Sequence, residues 1–108
     1  MVQEIRHIRF TDREVDAAVT MYLSDREEDP VGSEEIAETR VTDSLEVEIR
    51  LKARRPEQPK QLTLDTGPLA AALFRFCAAK GIPLPRKGKK SLRRETDTVV
   101  MLVESHTG

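Results

Sequence analysis

Residues 45–52 read Leu45-Glu46-Val47-Glu48-Ile49-Arg50-Leu51-Lys52, a strict alternation of apolar and charged side chains. In a strand, successive side chains point to opposite faces, so this pattern predicts a strand with one face on a core and the other in water. A sheet covered on both faces would instead read as a continuous apolar run. The prediction is therefore an antiparallel sheet with one open side, carrying Glu46, Glu48, Arg50 and Lys52.

Working outward toward the C-terminus, residues 54–60 hold Pro56 and Pro59 and read as a loop. Residues 61–64 resume the alternation and are expected to pair with 45–52 as an antiparallel hairpin. Asp65-Thr66-Gly67-Pro68 then combines capping residues with a proline that a first helical turn tolerates, and it opens a helix over 69–80. Leu69, Leu73, Phe76 and Cys77 form its apolar stripe, Ala70 and Phe74 widen it, and Arg75 marks the wet side. Gly81 falls where a left-handed C-terminal cap is expected, Ile82 is placed to fold back on Phe76 or Cys77, and Pro83 stops the helix. After the basic stretch that follows, 98–103 reads as a β-branched final strand. Residues 90–94 are positioned to pair with it across a turn at 95–97.

Toward the N-terminus, Ile8 and Phe10 share one strand face, with His7 and Arg9 on the other. Thr11-Asp12-Arg13-Glu14 has the form of a capping box with Thr11 as N-cap, and Phe10 and Val15 occupy the two positions of a hydrophobic staple. Val15, Ala18, Val19 and Tyr22 continue at helical spacing, predicting a helix to about residue 26. From 25 to 43 the periodicity is lost. This acidic stretch, with Pro30 and Gly32, reads as a long loop that is mobile or engaged in binding, with room for a helical turn over 33–38 capped by Ser33.

The order β-α-loop-β-β-α-β predicts an α+β fold. Its sheet would be antiparallel, with four or five strands and two helices on one face, in the βαββαβ order of ferredoxin-like proteins, with an extra C-terminal hairpin as an option. The 108 residues suffice for one core, and 1–108 is read as a single domain. The chain opens without a signal-peptide core. Its longest mostly apolar stretch is interrupted by Arg75, so a cytoplasmic protein without a membrane span is expected. A single cysteine agrees with a reducing compartment.

The chemistry-bearing residues are few. His7, His106 and Cys77 are too sparse for a zinc site, and no cofactor is expected. Asp25, Glu27, Glu28, Asp29, Glu34 and Glu35 cluster, but without the alternating order of a calcium-binding loop. Cys77 lies on an apolar helix stripe, where burial makes a thiol inert, and His7 is expected on the surface. Nucleotide-binding and nucleophile-elbow motifs are absent. The chain is accordingly read as not an enzyme, a small enzyme with a site near His7 being the least favoured alternative.

The most specific feature is charge. Residues 80–94 hold seven cations and no carboxylate, whereas 25–48 hold ten carboxylates against two arginines. A net charge of −1 conceals this separation. The leading expectation is a regulatory or adaptor module that binds an acidic protein or a nucleic-acid backbone through Arg86, Lys87, Lys89, Lys90, Arg93 and Arg94. Gly88 is read as letting the backbone approach the anion. The alternative is a homo-oligomeric scaffold pairing its acidic and basic segments. With Phe10, Phe74 and Phe76 assigned to the core, no aromatic platform is left for reading RNA. The run 69–92, with Gly81-Ile82-Pro83-Leu84-Pro85 and Lys90-Ser91-Leu92, is similar to segments of short bacterial proteins. The likeness covers about a fifth of the chain and implies no activity.

Overall fold

Thr11 starts the first helix by the reciprocal hydrogen bonds its sequence context predicts. The Glu14 amide donates to Thr11 Oγ1 (3.3 Å), and the Thr11 amide donates to Glu14 Oε1 (3.0 Å). The computed structural model describes residues 2–27, 30–52, 60–84, 88–96 and 98–107. In chain order the elements are β1 (Val2–Phe10), α1 (Asp12–Ser24), a 3-10 turn (Ser33–Glu35), β2 (Ile36–Val41), β3 (Val47–Leu51), β4 (Gln61–Leu64), α2 (Thr66–Ala79), β5 (Lys89–Glu95) and β6 (Thr98–Thr107).

The α+β class holds, but the ferredoxin-like arrangement does not. The strands form two separate three-stranded antiparallel sheets, ordered β1-β6-β5 and β2-β3-β4. Two pairings decide this. β1 runs along β6 from Val2↔Thr107 to Phe10↔Val99, while β5 takes the other edge of β6 from Lys89↔Glu104 to Glu95↔Thr98. Both edges of β3 are likewise occupied, by β2 and β4. β3 and β6 are the central strands, and the outer strands β1 and β5 do not pair with β2 or β4, so the terminal and the mid-chain strands stay in separate sheets.

β2 lies inside the acidic stretch expected to be a loop. Its signal is masked by a register shift between Ile36 and Glu38, so the residues facing β3's buried positions are Ile36, Thr39 and Val41 rather than a regular alternation. The turn before β2 covers only Ser33–Glu35, and its N-cap is Gly32, not Ser33. Leu45 is not in the strand. It sits at φ 63° in the tight turn joining β2 to β3, where the Thr42 amide donates to the Glu46 carbonyl (2.8 Å) and the Leu45 amide to the Thr42 carbonyl (3.0 Å).

Val47, Ile49 and Leu51 are buried, while Glu46 and Glu48 are half-buried and Arg50 and Lys52 exposed, as the alternation requires. In the other sheet, Arg6, Ile8 and Phe10 share a face with Val103, Met101 and Val99 and with Lys90, Leu92 and Arg94. The inner residues of both sheets meet α1 and α2 in one continuous core that includes Val15, Leu23, Ile49, Leu73, Cys77 and Met101. Phe10 and Phe76 touch edge to face, with ring centroids 6.5 Å apart.

Candidate binding groove at the end of α2

α2 buries Leu69, Ala72, Leu73, Phe76 and Cys77. Compared with the sequence reading, the stripe widens through Ala72 and not through Phe74, which stays 38% exposed. The helix ends in a full Schellman motif. Gly81 adopts φ 73°, its amide donates to the Ala78 carbonyl (3.2 Å), and the Ile82 amide donates to the Cys77 carbonyl (2.8 Å). Ile82 is thereby turned back onto the core. The next residue is fixed from another element, because Arg6 Nη1 on β1 donates to the Pro83 carbonyl (2.8 Å).

These constraints hold Gly81, Ile82, Pro83 and Leu84 alongside the exposed Phe74 and Ala78 of α2. Together the six line a groove of about 390 Å³, within the range of ligand-sized pockets, and none of them is ionisable. One cation, Lys90, stands at its ring, and a second, Lys80, stands over Phe76, a buried ring outside the groove. Lys90 Nζ lies 5.2 Å from the centroid of Phe74, and Lys80 Nζ lies 5.7 Å from that of Phe76. Each ammonium is within cation–π range, with N–H donors to spare on its other sides.

The basic segment is divided by the strand that contains it. Arg86 and Lys87 lie outside the described residues. Lys90 and Arg94 point to the helix side of β5, Lys90 toward Phe74 and Arg94 toward Asp12, 3.9 Å away. Lys89 and Arg93 point to the opposite face. There Arg93 contacts Glu95 (3.4 Å), which also accepts from Arg9 (2.9 Å), and Arg9 and Arg93 flank the fully buried Val100. The hydrogen bond from Arg9 holds the Glu95 carboxyl below its ordinary range. Gly88, at φ 137°, admits a neighbouring main chain: a Cβ there would lie 2.3 Å from the Glu104 carbonyl oxygen.

The acidic segment is partly neutralised where it folds. On the open side of β2-β3-β4, Glu38 pairs with Arg50 (3.0 Å) and Glu48 with Arg40. His7 is exposed, opposite Leu102 on the open face of the first sheet. Cys77 is fully buried, and desolvation pushes its thiol up, against the activation a nucleophile needs. Among the described residues no group of three His, Cys, Asp or Glu side chains is placed to hold a metal ion, and no helix is long and apolar enough to cross a membrane.

No family model, curated protein or solved structure matches the chain. The sequence pointed to Lys90 but missed the groove beside it. The available signal was Phe74 beside Arg75 on the edge of the α2 stripe, together with the apolar exit from Gly81 to Leu84.

Proposed function

We propose that the chain is a non-enzymatic binding module that takes an anionic macromolecular partner on the surface around the C-terminal end of α2 and the start of β5. The observation carrying this reading is the apolar groove next to α2 with Lys90 at its edge, over Phe74; no carboxylate is among the described residues that line it. Cations near the end of α2 and the start of β5 draw anions by field, and the groove gives the encounter a fixed place. Lys89 extends the positive surface onto the other side of β5. The reading gives the Cys77 thiol no catalytic part, since burial pushes its pKa up, away from the thiolate a nucleophile needs.

The test is fluorescence anisotropy with two labelled polyanions, poly-L-glutamate and a single-stranded oligothymidylate, against the wild type and the Lys80→Glu/Lys89→Glu/Lys90→Glu variant. Wild-type binding to at least one polyanion is expected, weakening steeply from about 50 to about 200 mM salt. The variant, whose altered side chains are on the surface, should fold normally and bind neither. Equal binding by the variant, or no binding by the wild type at low salt, would remove the reading.

A further inference from the structure

We infer that the chain pairs with a second copy of itself along the outer edge of β1, in the antiparallel register centred on Ile5. The surface is separate from the groove, and the inference does not rest on the binding reading above. β1 is an outer strand, and among the described residues no strand takes its second edge. A free edge offers a row of main-chain donors and acceptors to any strand that can lie alongside. The four outer strands differ in how far they are guarded against this. β4 has only four residues, and β2 is interrupted by its register shift between Ile36 and Glu38. β5 is guarded by like charge: a second copy centred on Leu92 sets Lys90 against Arg94, and one centred on Ser91 sets Lys89 against Arg93. β1 runs for nine residues without a register break.

A two-fold axis normal to the sheet through Ile5 sets Glu4 of each copy opposite Arg6 of the other, Gln3 opposite His7, and Ile5 opposite itself. Opposite charges facing each other stabilise a strand pair, and like charges directly opposite destabilise it. Moving the centre to Glu4 or Arg6 brings identical charges together at the axis, and moving it to His7 sets Glu4 against Phe10. Charge therefore selects both the occupant and the register. Arg6 stays able to meet Glu4, because one Nη1 donor serves the Pro83 carbonyl and the guanidinium has others. Two further observations agree. Ile5 is 51% exposed, and in this register its own copy covers it. β5 reaches only as far as Lys89↔Glu104, so residues 2–4 and 105–107 continue as a two-stranded ribbon, an arrangement marginal by itself. Gln3 and Glu4 are exposed there. The two-fold lays each ribbon beside the three-stranded part of the other copy, giving one continuous sheet in the order β5-β6-β1-β1-β6-β5.

Sedimentation velocity over a range of protein concentrations, combined with cysteine cross-linking, tests this. The wild type is expected to show a monomer–dimer equilibrium that follows concentration. Glu4→Arg, at an exposed position, should raise the dimer dissociation constant at least about tenfold, as should Arg6→Glu, because both facing pairs become like-charged. An equimolar mixture of these two variants should dimerise again, since together they restore opposite charges across the axis. Under mild oxidation Ile5→Cys should give a disulfide-linked dimer, whereas Gln3→Cys, whose two copies lie far apart in this register, should not. Cys77 is buried and does not compete. Circular dichroism of each variant checks folding, and the two cysteine variants decide the matter if Arg6→Glu, which gives up the Pro83 contact, unfolds. A wild type that stays monomeric at millimolar concentration would overturn the inference. So would a dimer indifferent to Glu4→Arg, a mixture that remains monomeric although both variants fold, or Gln3→Cys linking as readily as Ile5→Cys.

Discussion

Among the described residues, Asp16 is the carboxylate whose surroundings work against it. It lines a small cleft with Asp12, Val15, Thr39, Arg40, Val41 and Arg94, between α1 and the β2 strand. Partial burial, and then the nearby Asp12, raise its pKa above the ordinary value. A carboxyl raised in the folded state favours folding in acid, where it is protonated in both states, and that advantage is lost as pH rises through the folded pKa. Ionised Asp16 is thus a small burden at neutral pH. Asp16→Asn is expected to raise the urea midpoint at pH 7 slightly, within the about 0.5 kcal/mol typical of surface changes once screening is allowed for. The gain should vanish in acid, below the ordinary carboxylate range. Paired urea titrations of the two proteins at pH 3 and pH 7 check it, and a gain equal at both would assign the effect to helix propensity instead.

At the scale of elements, two glycines with positive φ separate a local requirement from a tertiary one. Gly81 ends α2 at φ 73°, and nothing lies within 4 Å of where its Cβ would be. Gly81→Ala therefore costs only the left-handed conformation, about 1–2 kcal/mol. Gly88 must meet both demands, since a Cβ would collide with the backbone of Glu104, the residue paired with Lys89 at the start of β5. Gly88→Ala is expected to cost more, about 2–3 kcal/mol, with the loss concentrated in the β5–β6 pairing. Hydrogen exchange should show β5 amides opening first in Gly88→Ala and α2 C-terminal amides in Gly81→Ala. A Gly88→Ala protein as stable as Gly81→Ala would mean that β5 enters its sheet by another path.

For the molecule as a whole, two sheets do not imply two folding units. Ile49 and Leu64 of one sheet and Phe10 and Met101 of the other share a single core with α1 and α2. The radius of gyration, 15.3 Å, exceeds the roughly 13 Å of a compact chain of this size. The shape is drawn out, but the apolar interior is not divided. Unfolding is expected to be one cooperative transition, so urea curves followed by Tyr22 fluorescence, by circular dichroism and by thiol labelling of Cys77 should coincide. In the native protein, Cys77 should label only at the rate of global opening. Early labelling, ahead of the loss of circular dichroism, would show that α2 comes away separately.

How much of this was legible in the sequence depended on whether the cause was local. The Thr11 capping box, the Gly81 cap with Ile82 folding back, the exposed charges of β3, the β3–β4 hairpin and the β5–β6 pairing are each set within a few residues or between strands consecutive in the chain, and each was readable. Cys77's burial was readable for the same reason, from its place on a helical stripe. Period-two alternation shows which face of a strand is wet. It carries no information about which strand lies alongside, so only the tertiary structure decided that β1 joins β6 instead of the mid-chain strands. β2 escaped notice because a register shift broke its alternation within an acidic run. Phe74 was misplaced because a helix stripe has a centre fixed by spacing, but its width is set by what packs against it; here Ala72 is covered and Phe74 is left open. The groove depends on a contact no local pattern shows, because Arg6, far away in the chain, donates to the Pro83 carbonyl after the helix has ended.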